Sequence, residues 1–227
     1  MIQNDILGVV LVYGYVAVLL VFTGKNLSKK YPILGRKILH IMVGNVAFLL
    51  PIFQTREIMA FVAAAPFIIL TFLMSPYSPI TSIKDRLSAS GHQLGLVYYA
   101  IAWTILAYVF FAHKEVIAIG ILAMSYGDGF ASVVGIKYGT RIYKVFDDRK
   151  SIEGSIVMMC CTFILCGIAL WYYAIPFSGG LIAGLILLSG IAAVVEGVTP
   201  RGLDNLSVPF VTSCLYWYLI YHVGFFG

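Results

Sequence analysis

Apolar runs close to 20 residues long recur along the whole chain, and this spacing constrains the fold more than any other feature. About 20 apolar residues in a helix cross the roughly 30 Å hydrocarbon core of a bilayer. In that medium the backbone must satisfy its own hydrogen bonds, so runs of this length read as helices. The expected fold is all-α: a polytopic transmembrane bundle with about eight spans, near 5–22, 38–53, 57–74, 94–111, 115–136, 151–175, 179–196 and 206–225. Composition agrees, since 61% of the 227 residues are hydrophobic and only 11% are charged, against about 25% charged in soluble domains. No polar stretch is long enough for an appended soluble domain, and residues 1–227 read as a single unit without repeats. The first run lacks a basic leader and its apolar core is too long for a signal peptide, so a retained helix is expected. Cys160, Cys161, Cys166 and Cys214 lie in apolar runs without metal-ligand spacing and read as small hydrophobes.

The formal net charge is +5, and its distribution follows topology rather than a nucleic-acid partner. Thirteen of the 15 basic residues fall in alternate loops: Lys25, Lys29, Lys30, Arg36 and Lys37; Lys84 and Arg86; Lys137, Arg141, Lys144, Arg149 and Lys150; Arg201. The other face has only Arg56 and Lys114. Basic loops stay inside, so these alternate loops are expected on the cytoplasmic side and both termini outside. Anionic headgroups account for many of these charges. On the same side, Ser78 and Pro79 mark the start of a short interfacial helix with Ile80, Ile83 and Leu87 on one stripe.

Polar groups at span ends collect on that face. In "GRKILHIMVGN", Arg36, His40 and Gly44 repeat every four residues and share a helix face, with Lys37 beside them. Such a cluster suits phosphate oxygens, and equally a headgroup anchor. In "DDRKSIEGS", Lys150 precedes a candidate N-cap, Ser151, and Glu153 and Gly154 fall in the first turn. A helix N-terminus flanked by lysine can hold phosphate, while Glu153 serves either the helix dipole or a divalent cation. In "VVEGVTPRGLDNLSVPF", Glu196, Asp204 and Asn205 bracket a loop as hard oxygen donors or as helix caps.

"SYGDGFASVVGIKYG" is the sharpest signal. Gly127, Ala131, Gly135 and Gly139 recur every four residues, a stripe that permits close approach of a helix or a ligand. Asp128 lies beside it, about 13 Å below the surface if the span is one straight helix. A charge at that depth is costly unless paired, ion-bound or hydrated, which makes it a functional candidate. Either Asp128 lines a cavity open to the cytoplasm, or the helix breaks near Gly127–Gly129. Carboxylates and cations on one side fit a metal–nucleotide site, and the sequence has neither a Walker A nor a protein-kinase glycine loop.

In order along the chain, "RKILH" (36–40), "GLVYY" (95–99), "GDGFASVVG" (127–135) with Gly139, "KSIEGS" (150–155) and the Glu196…"LDNLSVP" segment resemble the membrane polyprenol kinase family. That family includes dolichol kinase, phytol kinase and CTP-dependent diacylglycerol kinases. The chain is shorter than dolichol kinases with extra N-terminal spans and resembles the compact core of phytol kinases. The resemblance implies a CTP-dependent lipid-alcohol kinase with a Mg²⁺-type cation. It implies a catalytic and nucleotide-binding set of Asp128, Lys150, Glu153, Glu196 and Asp204. Arg36, Lys37, His40, Ser151, Gly154 and Asn205 are candidate phosphate contacts. Asp128, Glu153, Glu196 and Asp204 are candidate metal ligands, and the Gly127–Gly139 stripe is a candidate lipid groove. A diacylglycerol kinase, a CDP-lipid-forming cytidylyltransferase and an ion-coupled transporter are the competing readings.

Overall fold

The computed structural model describes residues 2–23, 32–80 and 94–224; the side chains of Pro32, Ile33 and Arg36 lie outside that description. The interfacial helix expected after Ser78 falls almost wholly outside it, as do the loops that carry Lys25, Lys29, Lys30, Lys84 and Arg86.

Helices occupy all eight expected positions. They are α1 (Ile2–Phe22), α2 (Pro32–Val43), α3 (Pro66–Leu73), α4 (Gly95–Val109), α5 (Lys114–Leu122), α6 (Gly129–Tyr138), α7 (Ile152–Tyr172), α8 (Gly179–Val198) and α9 (Asp204–Tyr221), with α5 and α6 sharing one position. Among the described residues, four continuous helices are long and apolar enough to cross a membrane: α1, the Lys114–Tyr138 unit, α7 and α8. Shorter apolar helices run over Lys37–Ile52, Ile58–Leu73 and Gly95–Val109, and the first two are irregular. Beyond Val43, α2 tightens into 3₁₀ turns over Gly44–Phe48 and Leu50–Ile52, the second containing Pro51. Pro66 at the start of α3 follows a π-helical stretch over Ile58–Ala64. Lacking an N–H, a proline is tolerated in the first turn of a helix.

The Lys114–Tyr138 unit forms the centre, and Val116 through Met124 are buried on every side. α7 and α8 pack together, and α9 crosses α4, α5 and α8. α5 and α6 are joined by a π-helical segment, Ala123–Asp128. The helix therefore does not break at Gly127–Gly129; it widens by a π-turn that ends on Asp128. Such bulges recur at functional sites. Tyr126 at the bulge donates to Asn45 Oδ1 (2.5 Å), Asn45 donates to Tyr15 (2.9 Å), and Tyr15 donates to the Met42 carbonyl (2.7 Å), tying α1 and α2 to it.

Among the described residues, the fold departs from all-α at one place. β1 (Ile142–Val145) and β2 (Asp148–Ser151) form an antiparallel hairpin, with Val145 opposite Asp148 and Tyr143 opposite Lys150. Its tip holds Phe146 at φ 54°, a left-handed conformation uncommon outside glycine and asparagine. The hairpin lies at one end of the bundle with the 199–203 turn, where Arg201 donates to Asp148 (2.5 Å) and Asp147 (2.7 Å). At the opposite end, Asp5 accepts from Gln54 and Thr55, Lys114 donates to the Phe53 carbonyl, and Tyr221 donates to Glu115. Both ends of the described chain thus gather on the side away from the hairpin.

Candidate active site

A cavity of about 310 Å³ opens at the hairpin end between α2, α6, the hairpin, and the ends of α7, α8 and α9. Three expected carboxylates meet there. Asp128 arrives from the π-turn, Glu196 from the last turn of α8, and Asp204 from the first residue of α9; all are buried. One ligand oxygen from each lies within 4.8 Å of the others. Asn205 also lines the cavity, and its buried Oδ1 meets no donor among the described residues.

Two lysines and a histidine balance these charges. Lys150 Nζ lies 2.6 Å from Glu196 Oε1 and 3.3 Å from Asp204 Oδ2, and also donates to the Glu196 carbonyl. Burial alone would lower the Lys150 pKa, but the Asp204 and Glu196 carboxylates outweigh it and hold it above the ordinary lysine value. Lys37 Nζ is 3.5 Å and His40 Nε2 3.4 Å from Asp128 Oδ2. His40 Nε2 is also 3.1 Å from the Met124 carbonyl, and its ring meets the edge of Tyr99. Lys37 and His40, three apart on α2, therefore point at one carboxylate.

Ser151 caps α7, its side chain accepting from Gly154 N–H at 3.0 Å. The cap turns the chain from strand to helix beside the cavity, and both Ser151 and Gly154 line it. The first turn of a helix offers N–H groups and positive dipole charge, which suit phosphate oxygens.

Two expected assignments are placed differently. Glu153 does not line the cavity: its carboxylate accepts from the Thr140 hydroxyl and the Arg141 N–H, fastening the start of β1 to α7. The glycine stripe is largely filled by α7 rather than open to lipid. A Cβ on Gly127 would lie 2.6 Å from Met158 Sδ, and one on Gly139 2.8 Å from Ser151 Cβ. Ala131, Gly135 and Gly139 still contribute to the cavity wall. Arg36 is on α2, with its side chain outside the described residues. Ser132, Asp148, Arg149 and Ser155 also line the cavity and lie outside the expected site set, although Ser132 shares the polar stripe of Asp128 and Arg149 is one of the basic loop residues. Ser155 is four residues from Ser151, so the helical repeat could have found it.

Among curated proteins, the chain is 33% identical over 188 residues to the phytol kinase of Synechocystis sp., covering 80% of this chain and 77% of that one. The chain belongs to the polyprenol and phytol kinase family. Within it, the chain is 31% identical over 216 residues to phytol kinase 1, chloroplastic, of Arabidopsis thaliana, covering 85% and 69% of the two chains. It is 31% identical over 196 residues to a probable chloroplastic phytol kinase of Triticum aestivum. There it covers 79% of this chain but only 65% of the wheat protein. No family model matches, and no solved structure matches. Family membership matches the ordered motifs read from the sequence.

Proposed function

We propose that this chain is a CTP-dependent lipid kinase that phosphorylates a long-chain membrane alcohol (phytol, geranylgeraniol or a polyprenol such as dolichol) on the cytoplasmic face. The observation that carries the reading is the meeting of Asp128, Glu196 and Asp204 with Lys37 and Lys150 in one cavity beside the capped start of α7. The relatives, which are phytol kinases, supply the class of acceptor.

Phosphoryl transfer depends mainly on positioning and charge neutralisation. The oxygen-only donor set and the orphaned Asn205 Oδ1 fit a hard divalent cation. Asp128, Glu196 and Asp204 would hold Mg²⁺, which when bound would neutralise charge on the nucleotide phosphates. Lys150 and Lys37 offer cations to the phosphate oxygens, and the first turn of α7 offers N–H donors. Asp128, fixed between Lys37 and His40, orients the lipid hydroxyl. The lipid oxygen bonds to the γ-phosphorus, the bond from that phosphorus to the β–γ bridging oxygen breaks, and CDP leaves. The hydroxyl proton passes to a carboxylate or to water at the cavity mouth.

Product analysis tests this reading. Purified protein in nanodiscs with Mg²⁺ receives CTP labelled at the γ or the α phosphate, together with phytol, geranylgeraniol, dolichol or diacylglycerol. The reading expects γ label on an isoprenoid alcohol. Label from the α position on lipid identifies a cytidylyltransferase, and γ label on diacylglycerol alone identifies a diacylglycerol kinase; either result overturns it.

A further inference from the structure

A second groove, lined mainly by apolar side chains, lies between α1, α2, α3 and α4, walled by Val16, Leu39, Phe67, Leu70, Leu96 and Trp103 among others. It shares one residue with the polar cavity, and that residue is His40. His40 is fixed there: the Tyr99 ring meets it edge-on, the Met124 carbonyl is 3.1 Å from its Nε2, and Asp128 is 3.4 Å away. One imidazole thus separates a hydrocarbon surface from the carboxylates.

An amphiphilic acceptor has two incompatible demands. Its hydroxyl must reach Asp128, while dragging its tail through a charged cavity would give up the hydrophobic contact it has in the bilayer. The stripe from Gly127 to Gly139 does not resolve this, because α7 fills much of it. The groove beyond His40 does. We infer that it holds the hydrocarbon tail of the acceptor, and that the hydroxyl passes His40 to reach Asp128. This inference rests on the proposed kinase function. The groove presents no polar surface, which suits the hydrocarbon part of the acceptor, while groups next to the hydroxyl would lie at His40 and the polar cavity.

Two experiments decide it. Leu70 is on the open side of the groove and Leu96 is half-buried. Leu70→Trp and Leu96→Trp are expected to lower kcat/KM for long isoprenoid alcohols by about tenfold or more, with the KM for CTP unchanged. Ile69→Trp, at a neighbouring exposed position outside the groove wall, serves as the control and keeps wild-type values. Equal losses for Ile69→Trp, or none for the two groove variants, overturn the assignment. In the second arm, a long-chain alcohol bearing a tail diazirine is cross-linked to the wild-type protein. Labelling concentrated on α3 and α4 and competed by unlabelled alcohol is expected; labelling concentrated on α6 and α7, or spread evenly, overturns it. If the wild type transfers no γ label to any alcohol, the kinase reading fails, and the cross-link map alone decides the groove.

Discussion

Lys150 stands between two buried carboxylates, so its removal takes away the cation that Glu196 and Asp204 share. Breaking such a pair from one side costs about 3 kcal/mol or more. Lys150→Met is therefore expected to lower stability by about that amount, measured by thermal or denaturant unfolding in detergent, and to abolish nucleotide turnover. Wild-type stability would show that the pair is not held as described. Glu153 gives the opposite test. Its carboxylate holds Thr140 and Arg141 rather than facing the cavity. Glu153→Gln is expected to retain measurable turnover under conditions where Asp128→Asn has none; equal losses would place Glu153 in the chemistry. These two residues also mark what the sequence reveals at this scale. Asp128 stood out because a carboxylate deep inside an apolar run is costly wherever it points, and Glu196 because it ends such a run. The direction of Glu153 was not legible, because a first-turn acid has the same pattern whether it faces a site or fastens a hairpin.

At the scale of elements, two N-caps separate stability from function. Ser151 caps α7 beside the cavity, and Ser178 caps α8, where it accepts from the Leu181 N–H. Ser151→Ala and Ser178→Ala are each expected to cost about 1 kcal/mol, read from unfolding. Only Ser151→Ala should also raise the KM for nucleotide; a matching rise in Ser178→Ala would show that the effect is general loosening. The helix positions were legible from run length alone. The π-turn ending on Asp128 was not, because it depends on how α5 and α6 seat against their neighbours. The hairpin was also missed. "IYKV" is too short to show an alternation, and its tip uses Phe146 at φ 54° where a glycine or asparagine would have signalled a turn.

At the scale of the molecule, the described basic residues of the hairpin share one end with Arg201, while Arg56 and Lys114 belong to the other. That separation is what alternate-loop charge counting anticipates. In intact cells, a membrane-impermeant thiol reagent is expected to label Glu57→Cys and to spare Lys144→Cys, both exposed positions at opposite ends. The reverse pattern would invert the proposed orientation. The apolar groove could not be read from sequence at all. Its walls come from four helices far apart in the chain, and each wall residue looks like an ordinary span residue.

The most direct test is γ-label transfer from CTP to phytol by Asp128→Asn in nanodiscs, compared with wild type at equal folded protein. The substitution keeps the shape and removes the charge at the point where Lys37, His40 and the three-carboxylate cluster converge. The account predicts a loss of at least about 100-fold in kcat with the bundle still folded in the membrane. Transfer within a few-fold of wild type would show that the chemistry takes place elsewhere.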